Sequence, residues 1–337
     1  MTTPALDVVP SCLGLEGTVD SILAVQRNDG LIPWVDGGRA DPWNHVEAAM
    51  ALVVAGERAA AERAFCWLRS NQRADGSWPA AYCSDGSVLE RHVDTNAVAY
   101  VATGVAHFLL STNDLDFVGG FFSVVEAALN FVCRVQRDDG MIPWSIGDDG
   151  HCATDSLLAA SASIFQSLSS GVALARALGV RRPAWSSAAE KLARCISVRE
   201  ADFADKSVFA MDWYYPVLAG VSDAVSARRR LDERSEDFIL SGEGVRCRRD
   251  GRWVTAAETA ECAIAYARAG SKTTARRLLS WADALRDDGG AYLTGLVHPE
   301  RSEFPPGERS TYSAAAVVLA NDVCSGGPTA SLFSPLR

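Results

Sequence analysis

The sequence predicts an all-α fold, an (α/α)6 toroid built from six helical hairpins. Three observations support this prediction. An Asp-Gly turn motif repeats along the 337 residues, polar-faced helical stretches alternate with Ala-rich apolar ones, and no strand-rich block interrupts them. Such repetition is typical of folds in which each helical unit packs against the next. We expect one domain over residues 1–337, with a core of about 14–323 and tails at 1–13 and 324–337.

The repeated motif joins a Gln to an Asp-Gly pair and then to a Pro-Trp or Trp-Pro pair. Gly accepts the left-handed backbone with which many helices end. The residue before a proline avoids helical geometry. Each copy is therefore expected to end one helix and begin a short extended crossing. Clear copies occupy residues 26–34, 72–79 and 136–144, and weaker copies occupy 249–253 and 286–290.

The helical stretches fall into two sets. A helix that is apolar nearly all round must be buried on most sides, whereas an amphipathic helix keeps one face in water. Six outer helices are predicted near 16–27, 57–72, 117–136, 184–197, 227–239 and 271–286. Six Ala-rich inner helices are predicted near 43–55, 93–111, 155–178, 213–225, 255–269 and 310–323.

Composition excludes several classes of partner. The formal charge is -10 and Lys and Arg are scattered, which disfavours nucleic acid or an anionic membrane surface as a partner. No apolar run reaches the roughly 18 residues of a membrane span, and residues 1–14 lack the pattern of a secretory signal. A small molecule or an oligosaccharide is the expected partner, and the oligomeric state is left open.

The cysteines and histidines indicate a reducing compartment and no metal. Nine cysteines is an odd count without a C-x-x-C pair, so we expect reduced thiols and a cytoplasmic protein. The five histidines do not supply the spacing of a zinc site. No metal and no organic cofactor are expected.

The N-terminal ends of the inner helices are predicted to meet at one end of the ring and to form the binding site. Aromatic rings suit the C–H faces of sugars and carboxylates suit their hydroxyls, so the mixture found there favours a carbohydrate. The candidate binding residues are Trp34, Asp41, Trp43, His45, Glu47, Trp78, His92, Asp94, Trp144, Asp212, Tyr214, Tyr215, Glu258 and Tyr312.

Structural roles compete with binding at several of these positions. Asp94 suits an N-cap as well as a substrate contact. The Trp residues of the repeats suit wedges between hairpins as well as stacking platforms, and the aromatic run 212–216 suits a plug of the ring. Glu47 lies in an Ala-rich helix, where an unpaired buried carboxylate is costly, so it is expected to face the pocket.

Residues 38–320 resemble the glucoamylase-type six-hairpin glycoside hydrolases. The motifs that carry the resemblance occur in the family's order along most of the chain. They are residues 41–50, 72–78 and 82–86, Val93-Asp94-Thr95-Asn96, Leu115-Asp116-Phe117, Gly295 to Glu300 and Thr311 to Ala314.

The resemblance implies an inverting hydrolysis of an O-glycosidic bond. The family's general base is the Glu of a Pro-Glu segment, and Glu300 stands at that position. The position of the general acid is occupied by Ser145 and Ile146, so the acid is sought in the neighbouring loop. Its candidates are Asp148, Asp149 and Asp155.

A second resemblance gives the alternative functions. Gln-x-x-Asp-Gly-x-Trp repeats on such a ring are similar to those of squalene cyclase-like and prenyltransferase-like proteins. Asp94 lies where those cyclases keep their proton donor. The alternatives to a hydrolase are thus a terpene-cyclase-like enzyme that uses Asp94 as its acid, or a sugar-binding relative without catalysis.

Overall fold

The computed structural model describes residues 13–333, and thirteen α-helices and nine short strands lie within this range. The inner helices are α2 (Pro42–Val54), α4 (Thr95–Thr112), α6 (Leu158–Ala177), α8 (Ala210–Leu218), α10 (Ala256–Arg268) and α12 (Thr311–Ser325). The outer helices are α1 (Glu16–Val25), α3 (Arg58–Asn71), α5 (Leu115–Val135), α7 (Pro183–Val198), α9 (Ala224–Phe238) and α11 (Lys272–Asp283). The short α13 spans Thr329–Leu332.

The inner helices close into a ring. Each packs against the next in the order α2, α4, α6, α8, α10 and α12, and α12 packs against α2. The outer helices lie around this ring, each against the inner helix of its own hairpin or the neighbouring one. The predicted (α/α)6 toroid is therefore confirmed.

The repeated Gln and Gly residues join each hairpin to the next. The side-chain amide of Gln72 donates to the carbonyl of Gly76 in its own turn and to that of Val124 on the next outer helix, both at 3.0 Å. Gln26 and Gln136 make the same two kinds of hydrogen bond, one to the glycine carbonyl of their own turn and one to the next outer helix. Gly76 has a φ of +96°, and a Cβ there would lie 2.2 Å from the Ala127 carbonyl oxygen. The repeat is thus a connection between outer helices that requires glycine.

Three sequence expectations are corrected by the helix bounds. The third inner helix begins at Leu158 rather than 155, which leaves Asp155 in a loop, and the fourth spans Ala210–Leu218 rather than 213–225. The predicted tail at 324–337 includes the end of α12 and the whole of α13, which packs under α4. The predicted tail at 1–13 lies outside the described residues except for Leu13.

The sequence also missed a small antiparallel sheet. Strands β5 (Ile239–Leu240), β6 (Gly244–Arg246), β7 (Trp253–Thr255), β8 (Gly295–Val297) and β9 (Ser302–Glu303) pair in that order. Strand β7 leads directly into α10, so the sheet lies at the N-terminal end of that helix. Two further two-stranded sheets are antiparallel: β1 (Ala81–Tyr82) pairs with β2 (Val88–Glu90), and β3 (Val93–Asp94) pairs with β4 (Ser145–Ile146). The strands are too short for a periodic hydrophobic pattern to reveal them.

Two helices, Leu115–Val135 and Leu158–Ala177, have the length and apolar composition of a membrane span, contrary to the expectation from the sequence. They are the outer helix α5 and the inner helix α6 of the toroid. Burial against the other ring helices accounts for their apolar residues, most fully in α6, where 67% of the apolar window is buried.

Candidate active site

The N-termini of the six inner helices form one end of the ring, which we call the mouth. Their N-cap residues are Asp41, Asp94, Leu157, Phe209, Thr255 and Ser310. Crossings from the repeat hold neighbouring ends together: the amide of Thr95 donates to the Trp144 carbonyl at 3.2 Å, and that of Thr311 to the Trp34 carbonyl at 2.8 Å. The positive ends of the helix dipoles therefore gather where the acidic side chains lie.

Two mouth carboxyls, Asp41 and Asp94, cap neighbouring helices. Asp41 accepts from the backbone and the side chain of Asn44. Asp94 Oδ1 accepts from the amides of Asn96 at 2.9 Å and Ala97 at 3.1 Å. Burial raises the pKa of both groups, that of Asp94 to about 6, and the negative charge of Asp41 adds to the shift at Asp94. Asp94 therefore holds a proton more readily than an ordinary aspartate.

Asp212 and Glu258 lie in the first turns of α8 and α10. Asp212 is buried and its Oδ1 accepts from the Ala159 amide at 3.2 Å, which caps the neighbouring α6. Burial raises its pKa to about 6. Glu258 is half-buried, and the Thr255 hydroxyl donates to its Oε2. Glu258 therefore reaches the mouth with one oxygen held by its own helix cap.

A second layer of side chains lies beneath the mouth. The sixth residue after the N-cap stands at one height in all six inner helices, about 9 Å below the caps at 1.5 Å per residue. The Tyr100 hydroxyl donates to Glu47, and the Tyr214 and Tyr312 hydroxyls donate to the two oxygens of Glu261. The six residues of this layer are Glu47, Tyr100, Ser163, Tyr215, Glu261 and Ala316.

Glu47 and Glu261 hold protons near neutral pH. Burial raises the pKa of Glu47 to about 7 and that of Glu261 to about 8. After burial, the charge of Glu47 is the second cause of the raised pKa of Glu261, so it acts across the layer. The tyrosine hydroxyls oppose these shifts without cancelling them.

Aromatic rings cover this deep layer. Trp43 stacks on Tyr100 with ring centroids 4.6 Å apart and planes 9° from parallel, and it also contacts Tyr215 at 5.7 Å. Glu47 and Glu261 are only 5% and 4% exposed. A ligand that enters the mouth therefore meets Asp41, Asp94 and Glu258 before it meets the deep carboxyls.

The deep carboxyls predict a pH dependence of stability. Their folded pKa values lie above the ordinary 4.5, so the folded state binds protons that the unfolded state has released. Stability should fall as the pH rises from about 4.5 to about 8. We expect Glu261→Gln to flatten this decline in thermal unfolding measured at pH 5, 7 and 9. Exposed Glu300→Gln is the control, and parallel curves for the wild type and Glu261→Gln would contradict the assignment.

Two predicted binding residues lie in the packing between helices instead. Nδ1 of His45 accepts from the Ile32 amide at 3.0 Å, and Nε2 lies 2.9 Å from the Ala64 carbonyl on α3. Burial lowers the pKa of His45 to about 4. Trp78 is 1% exposed and its indole N–H donates to the Leu68 carbonyl at 2.9 Å. The prediction that they contact substrate is corrected: both face the outer helices.

The four residues proposed for catalysis from the resemblance lie exposed in loops and turns rather than in the inner helices. Glu300 lies exposed between β8 and β9, and its carboxylate pairs with Arg252 at 2.7 Å. Its own backbone amide and Arg252 lower its pKa. Asp148 and Asp149 are exposed in the turn after β4, where Asp149 pairs with His151 at 3.0 Å, and Asp155 is exposed in the loop before α6.

The remaining predicted residues lie at the mouth or just beneath it. Trp34 is half-buried, lies 5.7 Å from Tyr312 between ring centroids, and donates to Glu308 at 3.3 Å. His92 contacts the Trp144 ring edge-on at 6.2 Å, beside Asp94. Tyr214 and Tyr215 are buried in the aromatic packing beneath the mouth.

Two further residues of the site were not among the predicted binding residues. Asn96 is 4% exposed, follows the Asp94 cap by two positions, and its Oδ1 has no hydrogen-bond partner among residues 13–333. Tyr100 holds Glu47. Counting six residues from each acidic N-cap would have identified Tyr100, because residues at one height in parallel helices face one another.

Within residues 13–333, no group of three or more His, Cys, Asp or Glu side chains is arranged to hold a metal ion.

Solved structures share this fold at low sequence identity. A wild-type glycosidase matches with a TM-score of 0.71 and 16% identity over 93% of this chain and 96% of its own. Cellobiose 2-epimerase from Spirochaeta thermophila matches with a TM-score of 0.69 and 14% identity over 92% and 94%. D-mannose isomerase matches with a TM-score of 0.66 and 12% identity over 95% and 99%. The chain thus has the six-hairpin (α/α)6 fold of these carbohydrate enzymes.

One curated relative is much closer in sequence. The MMP endo-(1,4)-3-O-methyl-alpha-D-mannosidase of Mycolicibacterium hassiacum is 40% identical over 326 residues, which cover 95% of this chain and 90% of the relative. The chain belongs to the family of this endo-mannosidase and is a carbohydrate-active hydrolase. No family model matches the chain.

Proposed function

We propose that this protein cleaves internal α-1,4 linkages in chains of 3-O-methylmannose and does so with inversion. The 40% identity to an endo-(1,4)-3-O-methyl-alpha-D-mannosidase over nearly the whole chain supports the substrate. The observation that carries the mechanism is the pair of reachable mouth carboxyls on opposite helices, Asp94 at the start of α4 and Glu258 in α10.

Asp94 is the proposed general acid. Its Oδ1 accepts both helix amides, and no described residue donates to its Oδ2. Its pKa of about 6 resembles the raised values of carboxyls that protonate glycosidic oxygens. Oδ2–H would donate its proton to the oxygen of the leaving mannose as the C–O bond breaks. The Asp41 charge next to it keeps the proton bound until then.

Glu258 is the proposed general base. Helices α4 and α10 face each other across the six-membered ring, and inversion needs two carboxyls about 6.5–9.5 Å apart with a water between one of them and the sugar. The Thr255 hydroxyl fixes one oxygen of Glu258. The other oxygen would take a proton from the water that attacks the anomeric carbon, which converts the α-linkage to a β-configured product.

Asn96 is the proposed partner of a sugar hydroxyl. A buried carbonyl oxygen without a donor is costly, so it is expected to accept a hydrogen bond from a bound molecule. It lies two residues after Asp94, in the first turn of the helix that Asp94 caps. A hydroxyl next to the scissile bond is the nearest donor that a substrate offers.

The test is the anomeric form of the first product. An α-1,4-linked oligomer of 3-O-methylmannose is incubated with the protein and followed by proton NMR before mutarotation. We expect the β anomer to appear first, and internal cleavage to give oligomers rather than monomers. The α anomer first would overturn inversion, and cleavage only of unmethylated oligomers would overturn the substrate.

We also propose that the protein works in the cytoplasm. The eight described cysteines form no disulfide, which supports a reducing compartment. Cys12 lies outside the described residues. We expect all nine thiols to be alkylated in denatured protein that has seen no reductant, as counted by mass spectrometry. Two protected cysteines would contradict the assignment.

A further inference from the structure

We infer that Trp253 and Phe304 form an outer sugar-binding platform for a substrate residue beyond the cleavage point. This inference rests on the proposed function, because only a polymeric substrate extends so far. The platform is an aromatic pair on the sheet at the mouth, in which Trp253 is half-buried and Phe304 is exposed.

The sheet places the Trp253 ring beside the catalytic carboxyl. Successive residues of a strand point to opposite faces, so Trp253 and Thr255 share a face while Val254 is buried beneath. Thr255 is the residue that holds Glu258. Gly295 pairs with Thr255, and a Cβ on Gly295 would lie 2.2 Å from the indole nitrogen of Trp253. The indole therefore leans along the sheet towards Thr255 and the mouth.

Phe304 extends this surface outward. Its ring contacts that of Trp253 edge-to-face, with centroids 5.2 Å apart and planes at 82°. The indole N–H donates to the Phe304 carbonyl at 2.8 Å, which fixes the two residues to each other. Phe304 is 47% exposed, although phenylalanine is among the residue types that are most often buried.

Hydrogen bonds through Glu308 connect the residue next to strand β8 with Trp34 at the mouth. Four residues after Phe304, Glu308 accepts from the Thr294 hydroxyl at 2.8 Å and from the Trp34 indole at 3.3 Å. Trp34 in turn contacts Tyr312 at the start of α12. A chain that leaves the mouth past Trp34 therefore meets the rings of Trp253 and Phe304 next.

A pyranose ring is the occupant that this surface suits. Its C–H face packs on an aromatic ring while its hydroxyls stay in water, and a methyl ether adds apolar area to the contact. An enzyme that cuts within a chain must hold residues on both sides of the bond, and a stacking platform outside the mouth provides one such hold.

The test compares long and short substrates. We expect Phe304→Ala to lower the ratio of kcat/KM for a decamer to that for a trimer about tenfold, since an aromatic contact contributes about one such factor. Trp253→Phe, which keeps an aromatic ring, should lower the ratio less. Leu115→Ala is the control, because Leu115 is 46% exposed but begins the outer helix α5, away from the mouth.

A binding measurement separates this inference from the proposed function. Calorimetry of the decamer with Glu258→Gln, alone and combined with Phe304→Ala, should give a Kd about tenfold weaker in the double variant. If the double variant bound the decamer more weakly but the wild-type protein cleaved no substrate, the platform would stand and the proposed hydrolysis would be overturned. An unchanged ratio and an unchanged Kd, with hydrolysis intact, would overturn the platform alone. If the decamer did not bind at all, the platform would be overturned as well.

Discussion

Glu258→Gln is expected to lower kcat for the oligomer by about 10²–10⁴-fold, the usual contribution of a positioned acid or base. Glutamine keeps the shape and the hydrogen bond from Thr255 but cannot accept the proton of the attacking water. Substrate binding should change little, so KM or a calorimetric Kd should stay near the wild-type value.

Glu300→Gln is the matched control for this change. It makes the same substitution at the residue that the family resemblance assigned as base, but in an exposed hairpin paired with Arg252. We expect its kcat to equal that of the wild type. If Glu300→Gln were inactive and Glu258→Gln active, the resemblance would be right and the mouth assignment wrong. If only Glu261→Gln lost activity, the reaction would belong to the deep layer.

Asp94→Asn is expected to cause a loss of similar size on the natural linkage, because the amide cannot give its proton to the leaving sugar. Asparagine is as good an N-cap as aspartate, so α4 should remain intact. An aryl glycoside with an acidic leaving group needs little protonation, and we expect the variant to retain much more of its activity on that substrate.

Asp41→Asn gives the complementary result for the neighbouring carboxyl. The charge of Asp41 helps to raise the pKa of Asp94, so its removal should lower that pKa below about 6. The protonated acid then disappears at a lower pH, and the alkaline limb of the kcat/KM profile should move down. If the alkaline limb of the kcat/KM profile did not move, the effect of the Asp41 charge on the pKa of Asp94 would be contradicted.

If Asp94→Asn lost activity equally on the natural linkage and on the aryl glycoside, the role of Asp94 as general acid would be contradicted.

The fold could be predicted from the sequence because its signals are local and repeated. The Gln and Asp-Gly residues at 26–30, 72–76 and 136–140 align with one another in the sequence and mark the connections between hairpins. The Ala-rich stretches indicated which helices lie inside. The sheet formed by strands within residues 239–303 was not predicted, because its strands are only two or three residues long.

The site was only partly predictable, since identical residue types serve packing and binding. His45 stands between Asp41 and Glu47 in sequence, yet its helical position turns it to α3 and away from the mouth. Glu300 was assigned because it matches a family motif, but in this chain that segment forms the turn between strands β8 and β9. Asp94 and Glu258 were among the predicted binding residues, but their positions across the ring follow only from the order of the six inner helices.

The closure of α12 against α2 has a consequence for synthesis of the protein. The seam is completed late: Thr18 bonds to the Gly290 carbonyl at 2.8 Å, and the Leu13 amide bonds to Asn321 at 3.0 Å. At 5–20 residues per second, the apolar side of α2 waits on the order of tens of seconds for its partner to leave the ribosome. Contacts so distant in sequence also form slowly. The nascent chain thus passes through an open arc whose Ala and Val surface is free to bind a chaperone or another copy of itself.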